Sequence, residues 1–176
     1  RLHTIGLHRL FDHLYTSIRV ARKLLDLHEA HFLIAGHGSD QEERVTNEAR
    51  KLKNVSYVGE ISDEEKVQLI KGSYLNILMS RMEALGLTQL EFMYGGAPIV
   101  TSAVGGQRWL VRDKVDGIHV NGSEDIEGAA RAIKHLVENP GIRDEMSENA
   151  KRRAQEFTLE KLTHGLEQKL QAILSR

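Results

Sequence analysis

Short apolar runs separated by segments of helical periodicity constrain this chain more than any other feature. HFLIAG (31–36), NVSYVG (54–59), SYLNILM (73–79), APIVTS (97–102) and DGIHV (116–120) each have the length and flanking residues of a strand. Ser39 with Glu42, and Ser62 with Glu65, have capping-box spacing. They open one helix to about Lys51 and a second through EEKVQLIKG. LTQLEFMYGG reads as a helix closed by glycines. Leu7, Leu10, Phe11, Leu14, Ile18, Ala21 and Leu25 recur at helical spacing and predict an amphipathic helix over 6–27. From Ser123 onward the pattern is only helical, with Pro140 at a helix start and Thr158 capping the last helix.

Strands alternating with helices over short loops call for a parallel sheet covered on both faces. The reading is a single doubly wound α/β domain over 1–176, without repeat or linker. Such sheets bind ligands beyond the carboxyl ends of their strands. The loops that matter are therefore 36–39, 59–62, 80–87 and 102–108.

Composition excludes several classes. The net charge of −1 lacks the basic surplus of a nucleic-acid binder. There is no cysteine, hence no disulfide framework or thiolate chemistry, which fits the cytoplasm. No apolar run approaches the ~20 residues of a membrane span, so membrane association is not indicated. The chain starts at Arg1 and not at a methionine, as a piece of a longer protein would.

The stretch SRMEALGLTQLEFMYGGAPIV places Glu83 in a loop past a strand and Glu91 on the helix that follows. Leu85, Gly86 and Leu87 fall at that helix's first turn, where unpaired amides favour an anion. Carboxylates accept hydrogen bonds from vicinal hydroxyls. The set suits a sugar nucleotide, with amides for the diphosphate and one glutamate for each sugar. Read on spacing alone, the same pair also fits a surface loop and an exposed helix residue.

The surrounding sequence, SRMEALGLTQLEFMYGGAPIVTSAVGG followed by DGIHV, resembles the signature region of retaining nucleotide-sugar glycosyltransferases of the family-4 and glycogen-synthase type. The resemblance extends to FLIAGHGSDQEE, NVSYVGEISDEEK and NPGIRDEMSENAKRRAQEFT. It implies a Rossmann-like domain, the C-terminal, donor-binding half of a GT-B-type enzyme whose N-terminal acceptor domain is absent. It further implies that Glu83 faces the donor sugar and that the amides of Leu85, Gly86 and Leu87 meet diphosphate and sugar. Glu91 would bind the ribose, and Val58 and Ile61 would flank the base. Gly36 and Gly38 match a glycine turn, and Gly105 and Gly106 a loop over the cleft. No cofactor or metal is implied beyond the nucleoside diphosphate sugar.

Three departures from that pattern stand out. The usual pattern is an arginine, a lysine five residues later and then glycine; here Gly6 itself stands five past Arg1 with Ile5 beside it, so either the phosphate-binding lysine is missing or the register has slipped. Ala84 follows Glu83 where glycine or proline is common, and Trp109 replaces the glutamate three past the Gly-Gly pair. Arg81 and Arg108, on cleft loops, are candidate substitutes for the cation, and both also read as solvated arginines. Trp109 reads as a packed residue in preference to a stacking platform.

Other readings rest on less. GHGSDQ begins like a dinucleotide fingerprint, but Gln41 stands where the third glycine belongs. It supports the alternative of a nicotinamide-dependent oxidoreductase domain. A non-catalytic regulatory module of receiver type needs acidic strand ends, and YLNILMS offers none. His3, His8 and His13 are five apart, about 140° around a helix, and do not converge on a metal. His37 lies in the glycine turn within reach of a phosphate.

Overall fold

Six strands assemble into one sheet in the order β3-β2-β1-β4-β5-β6, every neighbouring pair parallel. They are β1 (His3–His8), β2 (Ala30–Ala35), β3 (Val55–Gly59), β4 (Leu75–Leu78), β5 (Ile99–Thr101) and β6 (Gly117–His119). The computed structural model describes residues 3–8, 13–36 and 42–174. The chain winds outward from β1 to β3, returns to β4 beside β1, and winds out again to β6. That reversal creates the crevice in which doubly wound sheets bind ligands.

A parallel sheet of this kind must be buried on both faces, and the central strands are written accordingly. All four residues of β4 and all three of β5 are buried. Leu75, Ile77 and Val100 pack with Ile18 and Ala21 of α1 (His13–Lys23), Val45 of α2 (Glu42–Ala49) and Ile133 of α6 (Ile126–Glu138). Ile99 faces the other way, onto Leu69 and Ile70 of α3 (Asp63–Gly72) and Phe92 and Met93 of α4 (Leu87–Tyr94). Ala150 and Ala154 of α7 (Pro140–Ala154) complete that second layer. The short α5 (Gln107–Leu110) follows β5, and α8 (Leu159–Leu174) ends the described chain.

The helix punctuation follows the sequence. Ser62 Oγ accepts from Glu65 N at 3.2 Å and Glu65 Oε2 accepts from Ser62 N at 2.8 Å. Pro140 stands in the first turn of α7, and Thr158 Oγ1 accepts from Lys161 N at 3.4 Å beside α8. Ser39 of the first capping box lies outside the described residues.

One expectation is corrected. No single helix covers 6–27: the first element is β1, and α1 begins only at His13. HTIGLH has strand alternation, but its Leu7 also stands at helical spacing from Leu10 and Phe11, so the two periods merge. Pairing on both sides, with β2 from His3↔Ala30 to His8↔Ala35 and with β4 at Ile5↔Leu75, decides for the strand.

Candidate functional site

Because all six strands run the same way, the segments following β2, β3, β4 and β5 share one edge of the sheet. Gly36, Ile61, Glu83 and Gly105 therefore stand at one edge, as the sequence anticipates. Arg1, Gly38 and His37 lie outside the described residues.

The loops after β4 and β5 interlock backbone to backbone. Gly106 N donates to Glu83 O at 3.0 Å. A Cβ at Gly105 would stand 2.1 Å from Glu83 O, and one at Gly106 2.0 Å from Ala84 O. Gly105 also takes φ +53°, so glycine is required there twice over. Gly86, with φ +89°, sits at the N-cap of α4, which has no side-chain cap from that position. Instead Glu83 Oε1 accepts from Gly86 N at 3.2 Å. The carboxylate is thereby turned toward the start of α4, beside Leu85 and Leu87.

A buried polar scaffold holds these loops, and sequence reasoning missed it. Ser102 Oγ lies 2.7 Å from Ser80 O and 3.1 Å from Gln107 Oε1, and Gln107 Oε1 also accepts from Val104 N at 3.1 Å. Gln89 Nε2 donates to Thr101 Oγ1 at 2.9 Å. Gln89, Thr101 and Gln107 are fully buried. Their signal in the sequence is polar residues of hydrogen-bonding size inside an otherwise apolar stretch.

Glu91 projects from α4 toward α3, where Lys66 Nζ donates to its Oε1 at 2.6 Å. The side chains are 39% and 24% exposed, so the pair is half in solvent. Glu91 lines a groove of about 410 Å³ with Val67, Leu90 and Tyr94. Val58 and Ile61 line a different groove, of about 500 Å³, with Leu33 and Leu69. The two grooves flank α3, so the ribose and base candidates are neighbours and do not share one cavity.

The candidate cations are both engaged. Arg81 Nη2 donates to Glu124 Oε1 at 3.2 Å, and Arg19 Nη1 to Glu124 Oε2 at 2.6 Å. Hydrogen bonds from Arg81 and then Arg19 hold the Glu124 carboxyl below its ordinary pKa. Arg108 Nε donates to Ala103 O at 3.2 Å, bracing a residue at φ +53°. Trp109 is 58% exposed, yet it meets Phe157 edge-on at 4.9 Å, and its carbonyl accepts from Arg153 Nη2 at 2.7 Å. It pins α5 to the segment after α7.

Gly36 N donates to Gly59 O at 2.7 Å, and Tyr57 Oη lies 2.6 Å from Gly36 O and 2.8 Å from Glu42 Oε1. Burial, and then Glu42, push the Tyr57 phenol up to about 12. Among the described residues no group of three or more His, Cys, Asp or Glu is placed to hold a metal. Nor is any helix among them long and apolar enough to cross a membrane.

Comparison with known proteins identifies the family and the fold. The family model described as "Glycosyl transferases group 1" matches residues 7–153. D-inositol 3-phosphate glycosyltransferase of Salinispora arenicola is 30% identical over 135 residues, 75% of this chain and 30% of that protein. Glycogen synthase of Mycobacterium tuberculosis is 29% identical over 123 residues, 68% of this chain and 29% of that protein. The chain thus spans about a third of the length of these curated relatives. Among solved structures, sucrose-phosphate synthase from Thermosynechococcus elongatus superposes with a TM-score of 0.79 at 23% identity, over 98% of this chain and 46% of that one. Anabaena HepE in complex with UDP-glucose gives 0.78 at 21%, over 98% and 49%. The fold is that of the Rossmann-like domain of GT-B glycosyltransferases.

Proposed function

Because the chain belongs to the group 1 glycosyl transferases, we propose that it is the donor-binding half of a retaining glycosyltransferase. Joined to an N-terminal acceptor domain, it would transfer a hexosyl group from a nucleoside diphosphate sugar to an acceptor hydroxyl. The observation that carries this reading is the interlock of the 80–86 and 102–106 loops at the start of α4, where Gly86 offers no side-chain cap and Glu83 accepts from its amide.

In this reading the amides of Leu85 and Leu87 receive the diphosphate, where negative charge grows as the sugar leaves, while the Gly86 amide holds Glu83 in place. Arg81 or Arg108 supplies the phosphate cation, because Ile5, which the sequence pattern sets in the lysine's place, lies inside β1 and not on a cleft loop. Glu83 orients the sugar: its Oε1 is fixed by Gly86 N, and its Oε2 would accept from a sugar hydroxyl. Glu91 takes the ribose hydroxyls and so contributes binding, not bond-making. Val58 and Ile61 meet the base, Gly36 stands at the end of β2 on the same edge of the sheet, and Gly105 and Gly106 allow the cleft loop to close over the donor. The HepE complex supports a sugar nucleotide as the ligand class. No metal or cofactor takes part. Without the acceptor half, the chain binds donor and does not transfer.

Calorimetric titration with UDP-, GDP- and ADP-glucose, with NAD as the competing ligand, tests the reading. One sugar nucleotide should bind and NAD should not, and EDTA should leave the affinity unchanged. Saturable binding of NAD alone would overturn the proposal in favour of a dinucleotide site. Glycosyl transfer by the 176-residue chain would refute the division of labour.

A further inference from the structure

The largest of the grooves described here, about 700 Å³, is not in the donor cleft but along the outer side of β6. One wall is the α6 stripe Gly128, Arg131, Ala132 and His135, whose spacing puts these residues on one helix face. The facing wall is Ile118 and Val120, two residues apart and hence on one face of the strand. Met146 and Ile142 of α7 close the base, and Lys114 stands at the rim. The floor is thus apolar and the edges carry nitrogen.

The groove is not a place for another strand. Lys114 N donates to Gly117 O at 2.7 Å and His119 N to Asp113 Oδ1 at 2.8 Å, so segment 113–114 already covers the outer edge of β6. Its charge is one-sided as well. The single carboxylate in the lining, Asp125, accepts from Asn121 N at 2.9 Å and Gly128 N at 2.8 Å. Nearby Glu127 pairs with Lys23, and Glu138 with Lys134. Lys114 and Arg131, by contrast, make no salt bridge or side-chain hydrogen bond among the described residues; Arg131 acts on Asp125 through its field alone. His119 Nε2 bonds Val111 O at 2.8 Å, and His135 Nδ1 bonds Asn139 Nδ2 at 3.3 Å. That contact leaves His135 to donate from Nε2.

We propose that this groove is a binding site, separate from the donor cleft, for a small organic anion: a phosphate or carboxylate head on an apolar body. The head would sit between Lys114 and Arg131, with His135 donating. The body would lie on Ile118, Val120 and Met146. The volume is within the ~300–1,000 Å³ usual for small-ligand sites. Two cations that form no salt bridge among the described residues, above an apolar floor, select against both a bare ion and a neutral hydrocarbon.

The test titrates hexyl phosphate, inorganic phosphate and 1-hexanol into the 176-residue chain, by calorimetry and by methyl NMR of Ile118, Val120 and Met146. Hexyl phosphate should saturate and shift these methyls, with the other two probes weaker by about tenfold or more each. Lys114→Ala/Arg131→Ala should weaken hexyl phosphate by at least about tenfold, and Arg131→Lys should restore part of it. Both residues are exposed, so the fold should survive, as a melting curve will check. Equal binding of 1-hexanol, shifts confined to the start of α4, or no effect of the double substitution would each overturn the site.

Discussion

Glu91→Ala separates the structural from the ligand-binding role of a carboxylate that the fold has given a partner. In the unliganded domain Glu91 holds Lys66 at 2.6 Å, with both side chains partly in solvent. Ion pairs so exposed contribute about 0.2–1 kcal/mol. At this chain length that corresponds to a melting shift of no more than about 2–4 °C. A carboxylate receiving both ribose hydroxyls is worth on the order of 1.5–3 kcal/mol. The larger effect wins: nucleotide can draw Glu91 away from Lys66 and still gain. Glu91→Ala should therefore weaken nucleoside diphosphate binding roughly 10- to 100-fold, with thermal unfolding of the free domain almost unchanged. Lys66→Met, which removes only the competing cation, should change that affinity by less than about fivefold. Calorimetric titration of both variants against the nucleoside diphosphate that the wild type binds, and its glucose ester, reads the difference. Wild-type affinity in Glu91→Ala would make Glu91 a counter-ion for Lys66, and so would unfolding of that variant; either result refutes the ribose assignment.

Glu83→Ala should weaken the sugar nucleotide more than the bare nucleoside diphosphate in the same titration, because its partner in the proposed function is the hexose; equal losses would count against it. Gly106→Ala keeps an acceptable φ of −65° but drives a Cβ to 2.0 Å from Ala84 O. Overpacking of this kind costs about 1–3 kcal/mol, so calorimetry should show a melting temperature lower by several degrees, together with weaker nucleoside diphosphate binding. Asp125 is held below its ordinary value of 3.8 by hydrogen bonds from Asn121 N and then Gly128 N. Its stabilisation is therefore fully present above that value and is lost as pH falls through the lowered pKa. Acid unfolding curves of wild type and Asp125→Asn should converge at low pH and separate, wild type the more stable, towards neutrality.

The parts of the fold legible in the sequence are those whose cause is local. The Ser62–Glu65 box, Pro140 at the start of α7 and the buried runs of β4 and β5 carry their own signals. β1 does not, because its stabilising partners are β2 and β4, more than twenty and about seventy positions away. The site divides in the same way. The spacing of Glu83, Gly86 and Glu91 is local and marks the loop and helix start that the structure contains. The reason for Gly105 and Gly106 is not local: it is the backbone of Glu83 and Ala84, reached across two strand ends. Lys66 reaches Glu91 across 25 positions and Gln89 reaches Thr101 across 12, so neither pairing has a sequence signature.

The same distinction bears on which arginine would answer the missing lysine. Both Arg81 and Arg108 are near in sequence to the cleft loops, and only the structure shows how each is held. Arg81 is 66% exposed and shares the half-exposed Glu124 with Arg19, a pairing of the weak, solvent-screened kind. If Arg81 leaves, Glu124 keeps Arg19 at 2.6 Å, so no carboxylate is stranded. Arg108 instead braces Ala103 O at a left-handed residue, and withdrawing it would release the loop that Gly105 and Gly106 lock onto Glu83. A hydrogen bond to a charged phosphate oxygen is worth about 1.5–3 kcal/mol, more than the pair Arg81 would give up. In the proposed donor complex Arg81 is therefore the cation that moves to the diphosphate, and Arg108 is the one that holds the loop in place to receive it.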